Sequence, residues 1–389
     1  MGNILKNIKG DKVIWTVVFL LTIISFLAVY SSTGTLAWKF KGGNTEYYML
    51  KHAVILFLGL LLMYFAHLVK YTYYSRIFQI ALYIAVPLLL ITLIFGLNLN
   101  EAKRVLQLPF NLTFQTSDLA KITLIIYLAR VLTKKQDQIK DFKEWFVPLM
   151  LPVLVVCGLI FPANFSTAAI LFTTSMVLIF IGRVKLIYFI GMIGIGIVVL
   201  AIALSILYYL PAENQGRLGT WKNRITTFVD GGESSDNYQV EQAKIAIANG
   251  YPFGMGPGNS TQRNFLPHPY SDFIFAIIIE EYGFIGGLVI ILLYLILFYR
   301  AVRIVTKAPG TFGSFLTIGV SFSLVFQAMI NMGVAVNILP VTGQPMPLVS
   351  MGGTSIWFTS LAIGIILSVS KDIELETSSD ELIVQEDEE

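Results

Sequence analysis

The chain has 389 residues, of which 56% are hydrophobic and 13% charged, with a formal net charge of +3 and a mean hydropathy of +0.73. A water-soluble globular protein carries about a quarter charged residues to keep its surface wet, so a soluble enzyme is excluded and a membrane protein is implied. No basic run suited to tracking nucleic acid occurs, which removes DNA and RNA as partners, and the lone Cys157, inside an apolar run, reads as a packing residue.

At the N-terminus, Lys6, Lys9 and Lys12 precede an apolar stretch over 13–31. It is longer than a secretory signal core of about 7–15 residues and further spans follow at once, so it reads as an uncleaved first span. Backbone polar groups cannot stay unpaired in hydrocarbon, so apolar runs of sufficient length become membrane helices. Such runs follow at 52–69, 77–96, 118–133, 146–162, 167–183, 186–210, 272–299, 312–337 and 354–370. The run over 118–133 is short and carries Lys121 and Arg130, which makes it the weakest by hydropathy. The expected architecture is an all-α polytopic membrane protein of about ten transmembrane helices, forming a single domain over 1–371.

Lys6, Lys9, Lys12, Lys70, Arg76, Lys134, Lys135, Arg183, Arg300, Arg303 and Lys371 fall in loops or ends on one side of that arrangement, which places both termini in the cytoplasm. The long connection over about 211–271, between the seventh and eighth helices, is then extracytoplasmic. It contains Trp221, Phe228 and Tyr238, and a loop of this length with aromatic content is expected to be partly structured and functional. The acidic tail over 372–389, ending in EDEE, is expected to be disordered in the cytoplasm.

The scarce polar residues gather in four outward segments: 100–121, 162–168, 254–283 and 337–355. Asp272 stands at the outer start of a span with Glu280 and Glu281 about two turns deeper, and ionisable groups within a span are costly and tend to be functional. Two roles are open for Asp272, a helix N-cap and a catalytic base. For at least one of Glu280 and Glu281, a structural ion pair with a base such as Lys121 or Arg104 is expected. Asp118 and Lys121 share a helix face. They form either an ion pair or, with Lys103 and Arg104 just outside, part of a cationic pocket for an anionic head group. The glycines at 254, 256 and 258 lack the preceding strand and following Lys-Ser/Thr of a nucleotide loop. Pro340, Pro345 and Pro347, followed by Gly352 and Gly353, cannot form continuous helix and read as a pocket-lining loop.

In these segments the chain resembles the SEDS family of cell-wall polymerases (shape, elongation, division and sporulation proteins), and within it the FtsW branch. FQTSDLAK (114–121), GMGPGNSTQRNFLP (254–267), SDFIFAIIIEEYG (271–283) and LPVTGQPMPLVSMGGTS (339–355) carry the resemblance, in the family's order and over nearly the whole chain. It implies a peptidoglycan glycosyltransferase of the bacterial cytoplasmic (inner) membrane that polymerises lipid II into glycan strands during septal synthesis. The partners it implies are a class B penicillin-binding protein and other division proteins. The family's essential aspartate falls on Asp272, and its other motif positions on Lys103, Arg104, Asp118, Lys121, Asn259, Ser260, Pro340, Thr342, Gly343, Ser350, Gly352 and Gly353, with Glu280 and Glu281 supporting. The chain departs from the pattern at Val105, Thr116, Tyr270 and Met351, and at Asn164, where the family has an acid.

One carboxylate base and a cationic pocket suffice for such a reaction, because a diphosphate leaves as a stable anion and needs charge stabilisation rather than a proton. A divalent cation, Mg or Mn, is an alternative source of that charge. A lipid II carrier and a non-catalytic scaffold for the crosslinking enzyme remain as alternatives.

Overall fold

The computed structural model describes residues 9–99, 102–108, 112–135, 146–184, 235–308 and 310–387, with scattered positions between 187 and 205. The expected span over 186–210 and the loop residues 211–234, which include Trp221 and Phe228, lie largely outside the described residues. The described helices are α1 (Lys12–Ser32), α2 (Gly34–Lys41), α3 (Thr45–Leu68), α4 (Tyr71–Phe95), α5 (Thr116–Lys135), α6 (Leu151–Ile160), α7 (Phe165–Ile181), α8 (Ser235–Gly250), α9 (Ile274–Lys307), α10 (Thr311–Ala335) and α11 (Thr354–Asp387). Six of them, α1, α3, α4, α9, α10 and α11 as far as Glu376, are long and apolar enough to cross a membrane. The segments Phe146–Ile160 and Phe165–Ile181 are shorter apolar helices.

Helix α5 escapes a hydropathy criterion for a physical reason. Asp118, Lys121 and Arg130 lower its score, yet Ala120, Leu124, Ile126, Leu128, Ala129 and Leu132 are fully buried, because α5 packs against α4, α7 and α10. Its surroundings are protein, so its polar side chains find partners there rather than meeting lipid. Arg130, for example, donates to Ser75 Oγ at 2.6 Å. The outer faces of α3 and α4 are the reverse, with Phe57, Phe65, Tyr73, Ile80 and Phe95 exposed as expected of a surface solvated by acyl chains.

The start of α1 is fixed twice by Asp11. Its Oδ1 accepts from Val13 N at 2.9 Å and Ile14 N at 3.2 Å, capping the helix, while Oδ2 accepts from Arg300 Nε of α9 at 2.7 Å.

Two features differ from the sequence expectation. The fold is not wholly α: β1 (Leu97–Leu99), β2 (Ala102–Leu108) and β3 (Leu112–Gln115) form an antiparallel sheet in the order β1-β2-β3. Opposite pairs Leu106 with Phe114 and Gln107 with Thr113 set its register. This backbone lies beyond the helix ends, where the β-branched and aromatic residues Val105, Thr113 and Phe114 favour strand pairing. The loop over 211–271, expected to be partly structured, contains α8, which buries Val240, Ala243 and Ala246 and packs on α9. Finally, the acidic tail expected to be disordered continues α11 as helix to Asp387. Extending an existing helix avoids the cost of nucleation.

Candidate active site

Helix α9 is interrupted at Gly283. Gly283 adopts φ 70°, ψ −168° inside α9, a left-handed conformation that glycine takes without strain, and a Cβ there would lie 2.4 Å from Pro252 O. The interruption leaves carbonyls for the preceding loop to use. Met255 N donates to Glu280 O at 2.8 Å, Gly256 N to Glu281 O at 3.0 Å, and Phe284 N to Pro252 O at 3.0 Å. The glycine-rich loop is thus a clamp on α9.

Inside this clamp Glu280 is fully buried. It accepts from Thr261 Oγ1 at 2.9 Å, Thr261 N at 3.2 Å, Gln262 N at 3.3 Å and from Ser260 Oγ. Glu281 accepts from Ser31 Oγ of α1, and Arg263 Nη1 donates to Ser31 O at 3.0 Å and Ser31 Oγ at 3.2 Å. The ion pair expected with Lys121 or Arg104 is therefore replaced by hydroxyl and amide donors from the loop, with Arg263 close by. Ser260 faces Glu280, and Asn259 Nδ2 donates to Met255 O at 3.1 Å. Through these contacts both motif residues join the loop's own hydrogen-bond network.

Asp272 lies just before α9, whose N-cap is Phe273, without a side-chain capping bond. The cap role weighed for Asp272 is not the geometry found. Its Oδ1 accepts from Ser271 Oγ at 2.8 Å, and Gly343, at φ 62°, would bring a Cβ to 3.6 Å from Oδ2. A Cβ would fit at that distance, so it is the positive φ, which glycine takes without strain, that favours glycine where the segment turns beside the carboxylate. Ser350 Oγ donates to Ser271 O at 2.6 Å and accepts from Met346 N at 2.8 Å, so it ties that segment to the aspartate loop. Burial first, and then the negative charge of Asp272, push the Tyr270 phenol up, keeping it neutral.

Two residues not anticipated from the sequence hold this arrangement, Gln327 and Asn331, one turn apart on α10. Asn331 Nδ2 donates to Asp272 O at 2.9 Å and to Gln344 O at 2.7 Å; Gln327 Nε2 donates to Pro345 O at 2.8 Å. Gln344 Nε2 in turn donates to Thr167 Oγ1 at 2.9 Å and Asn164 Oδ1 at 3.3 Å. Asn164 also caps α7 through Thr167 N at 3.2 Å. Two amide side chains four residues apart, Gln327 and Asn331, on one face of a membrane-length helix were the available signal.

The cations sit in two places. Lys121 Nζ pairs with Asp118 Oδ1 at 3.2 Å and donates to Gln327 Oε1 at 2.8 Å. Arg104 Nε donates to Ala163 O at 3.0 Å, and Lys103 Nζ to Ile94 O. Thr354 Oγ1, following Gly352 and Gly353, donates to Thr113 O at 2.9 Å and joins the sheet to the start of α11. Pro340 and Thr342 are half-buried in the same segment as Gly343. Among the described residues, no group of three or more His, Cys, Asp or Glu converges to hold a metal. Of the nearby carboxylates, Asp118 pairs with Lys121 and Glu280 accepts from the loop.

This fold and site define a multi-pass helical membrane protein with a carboxylate held at one end of the bundle, between a broken helix and a proline-rich loop. Residues 11–374 match the family described as cell cycle protein, that of FtsW, RodA and SpoVE. The chain belongs to this SEDS family. It is 31% identical to stage V sporulation protein E of Bacillus subtilis over 94% of this chain and 98% of that one. It is 32% identical to a probable peptidoglycan glycosyltransferase FtsW of Trichlorobacter lovleyi over 94% of each. Its fold matches a chain from a structure of a peptidoglycan synthase complex that coordinates polymerization and crosslinking, with TM-score 0.74 and 22% identity, over 94% of this chain and 98% of that one. The rod shape determining protein RodA of Thermus thermophilus matches with TM-score 0.65 and 22% identity, over 93% and 97%.

Proposed function

We propose that this protein is a peptidoglycan glycosyltransferase that polymerises lipid II into glycan strands for septal wall synthesis. In this reading it works in the bacterial inner membrane beside a class B penicillin-binding protein, with ten spans, both termini cytoplasmic and Asp272 outside. The observation that carries the proposal is the presentation of Asp272. Asn331, Ser350 and Gly343 hold its backbone and surroundings, while its carboxylate is only half-buried. The names of its full-length relatives support the same activity.

In the reaction, the 4-hydroxyl of one lipid-linked disaccharide attacks the anomeric carbon of the growing strand's terminal sugar. A new C–O bond forms, the bond from that carbon to the lipid diphosphate breaks, and its electron pair leaves with the diphosphate. The hydroxyl proton goes to the Asp272 carboxylate, and the anomeric configuration inverts. A sugar hydroxyl is a poor nucleophile, so a positioned base contributes about 10²–10⁴-fold. The leaving anion needs positive charge rather than a proton.

The test is strand formation from purified lipid II in detergent, with and without the transpeptidase partner. Wild-type protein is expected to make strands and Asp272→Asn none, with the variant still folded and inserted. Strands made at the wild-type rate by Asp272→Asn refute the base. A wild-type protein that makes no strands but moves lipid II across sealed vesicles, with Asp272→Ala retaining that transport, replaces the polymerase by a carrier.

A further inference from the structure

The Asp272 loop is held carbonyl by carbonyl. Met351 N donates to Tyr270 O at 2.9 Å, Ser350 Oγ to Ser271 O at 2.6 Å, and Asn331 Nδ2 to Asp272 O at 2.9 Å. Two of these donors belong to one turn over 346–351, so the direction of the carboxylate depends on where that turn sits.

The turn is itself strained. Leu348 has φ 63°, in the left-handed region that residues other than glycine, asparagine and aspartate seldom adopt. Such a conformation persists only where the surroundings over-determine it. Val349 N and Ser350 N close the turn on Met346 O at 3.2 Å and 3.0 Å. The carbonyls of both neighbours of Leu348 are then gripped from other helices. Tyr294 Oη of α9 donates to Pro347 O, and Ser25 Oγ of α1 donates to Val349 O at 2.9 Å.

Ser25 does not act alone, because its Oγ lies 2.9 Å from His52 Nε2 of α3. A hydroxyl has one proton and a carbonyl can only accept. With both contacts made, the Ser25 proton goes to Val349 O, and His52 Nε2 carries the proton that Ser25 accepts. His52 Nδ1 is then the bare nitrogen, and it is buried with no hydrogen-bond partner among the described residues. Ser25 and His52 are both buried within apolar spans. Apolar side chains fasten one helix to another without an unsatisfied imidazole nitrogen, and ionisable groups inside a span tend to be functional. What the polar pair adds is a directed bond to a third element, the turn beside Asp272.

We propose that His52 is a positioning residue for the Asp272 carboxylate. It orients the Ser25 hydroxyl, Ser25 holds Val349 O, and the turn so fixed places the aspartate loop through Ser350 and Met351. The proposal rests on the glycosyltransferase reading for its effect on rate, and on the packing alone for its effect on the turn.

The experiment measures kcat and KM of strand synthesis from lipid II and, on the same purified full-length proteins, backbone hydrogen exchange over 346–351. Ser25→Ala is expected to lower kcat about tenfold with KM within about twofold of wild type. That is a fraction of the about 10²-fold that a misplacement of about 1 Å costs. Exchange over 346–351 is expected to quicken about tenfold. His52→Asn is expected to do the same, because its amide stops at the reach of Nδ1. His52→Gln, whose amide nitrogen reaches where the imidazole Nε2 does, is expected to stay within about threefold of wild type. Ser25→Ala combined with His52→Asn is expected to lose no more than Ser25→Ala alone, since the two act in series.

Equal losses in His52→Gln and His52→Asn overturn the proposal, as do losses that multiply in the double variant or that appear in KM at constant kcat. If neither His52 variant inserts, Ser25→Ala decides alone, and wild-type kcat and exchange in it overturn the proposal. If wild-type protein makes no strands, the glycosyltransferase reading falls and exchange decides. Unchanged exchange over 346–351 in Ser25→Ala then overturns this proposal too, while quickened exchange keeps Ser25 and His52 as the support of the turn.

Discussion

Removing the Glu280 carboxylate tests whether the glycine-rich loop is a clamp on α9. Glu280→Ala leaves the amides of Thr261 and Gln262 and the hydroxyls of Ser260 and Thr261 without their acceptor. A buried donor left unsatisfied costs about 1–3 kcal/mol. The two hydroxyls can rotate toward other acceptors, but the amides cannot, so the expected destabilisation is about 4 kcal/mol. Glu280→Gln keeps one carbonyl acceptor and loses the charge, for an expected cost of about 2 kcal/mol, the difference between charged and neutral hydrogen bonds. Unfolding followed by tryptophan fluorescence in detergent gives the order wild type, Gln, Ala. Tryptic cleavage after Arg263, half-buried beside the clamp, is expected to quicken in the same order. A loss below about 1 kcal/mol for Glu280→Ala, with unchanged cleavage, refutes the clamp.

Asn331→Ala removes the donor shared by Asp272 O and Gln344 O, and is expected to lower kcat of strand synthesis about 10²-fold with KM little changed, since misplacement of a reacting group by about 1 Å costs this much; an equal rise in KM at constant kcat contradicts a positioning role. Gly283→Ala forces a Cβ to within 2.4 Å of Pro252 O at a positive φ. It is expected to cost more than about 2 kcal/mol and to free the loop over 250–262 in hydrogen exchange, whereas wild-type protection in that loop argues against the break as its anchor.

The family and the position of the candidate base were legible in the sequence because both reside in local order: FQTSDLAK, the glycine-rich loop, the Asp272 segment and the proline-rich loop are contiguous strings. The partners of those strings were not legible. Lys121 could reach Asp118 by helical spacing alone, and the 3.2 Å pair is found, but Gln327, more than 200 residues away, gives no sign of being its second partner. The resemblance marked Ser260 and Asn259 as motif positions, but the string did not show that Ser260 meets Glu280 and Asn259 meets Met255 O. A hydroxyl beside a glycine-rich turn looks the same whichever way the loop folds.

Composition and apolar periodicity were sufficient for a membrane protein with its long hydrophobic helices, since the bilayer imposes length and backbone pairing on each span independently. They ranked α5 as the weakest span and omitted the small sheet, because a central helix is solvated by its neighbours, and strands outside the helix ends gain stability from pairing with each other. Tertiary structure alone decided which distant groups the cations meet: Lys121 reaches Gln327 of α10 beyond its neighbour Asp118, and Arg104 donates to Ala163 O. Side chains far apart in the chain exchange hydrogen bonds and charge only after packing has brought them within about 3 Å of each other.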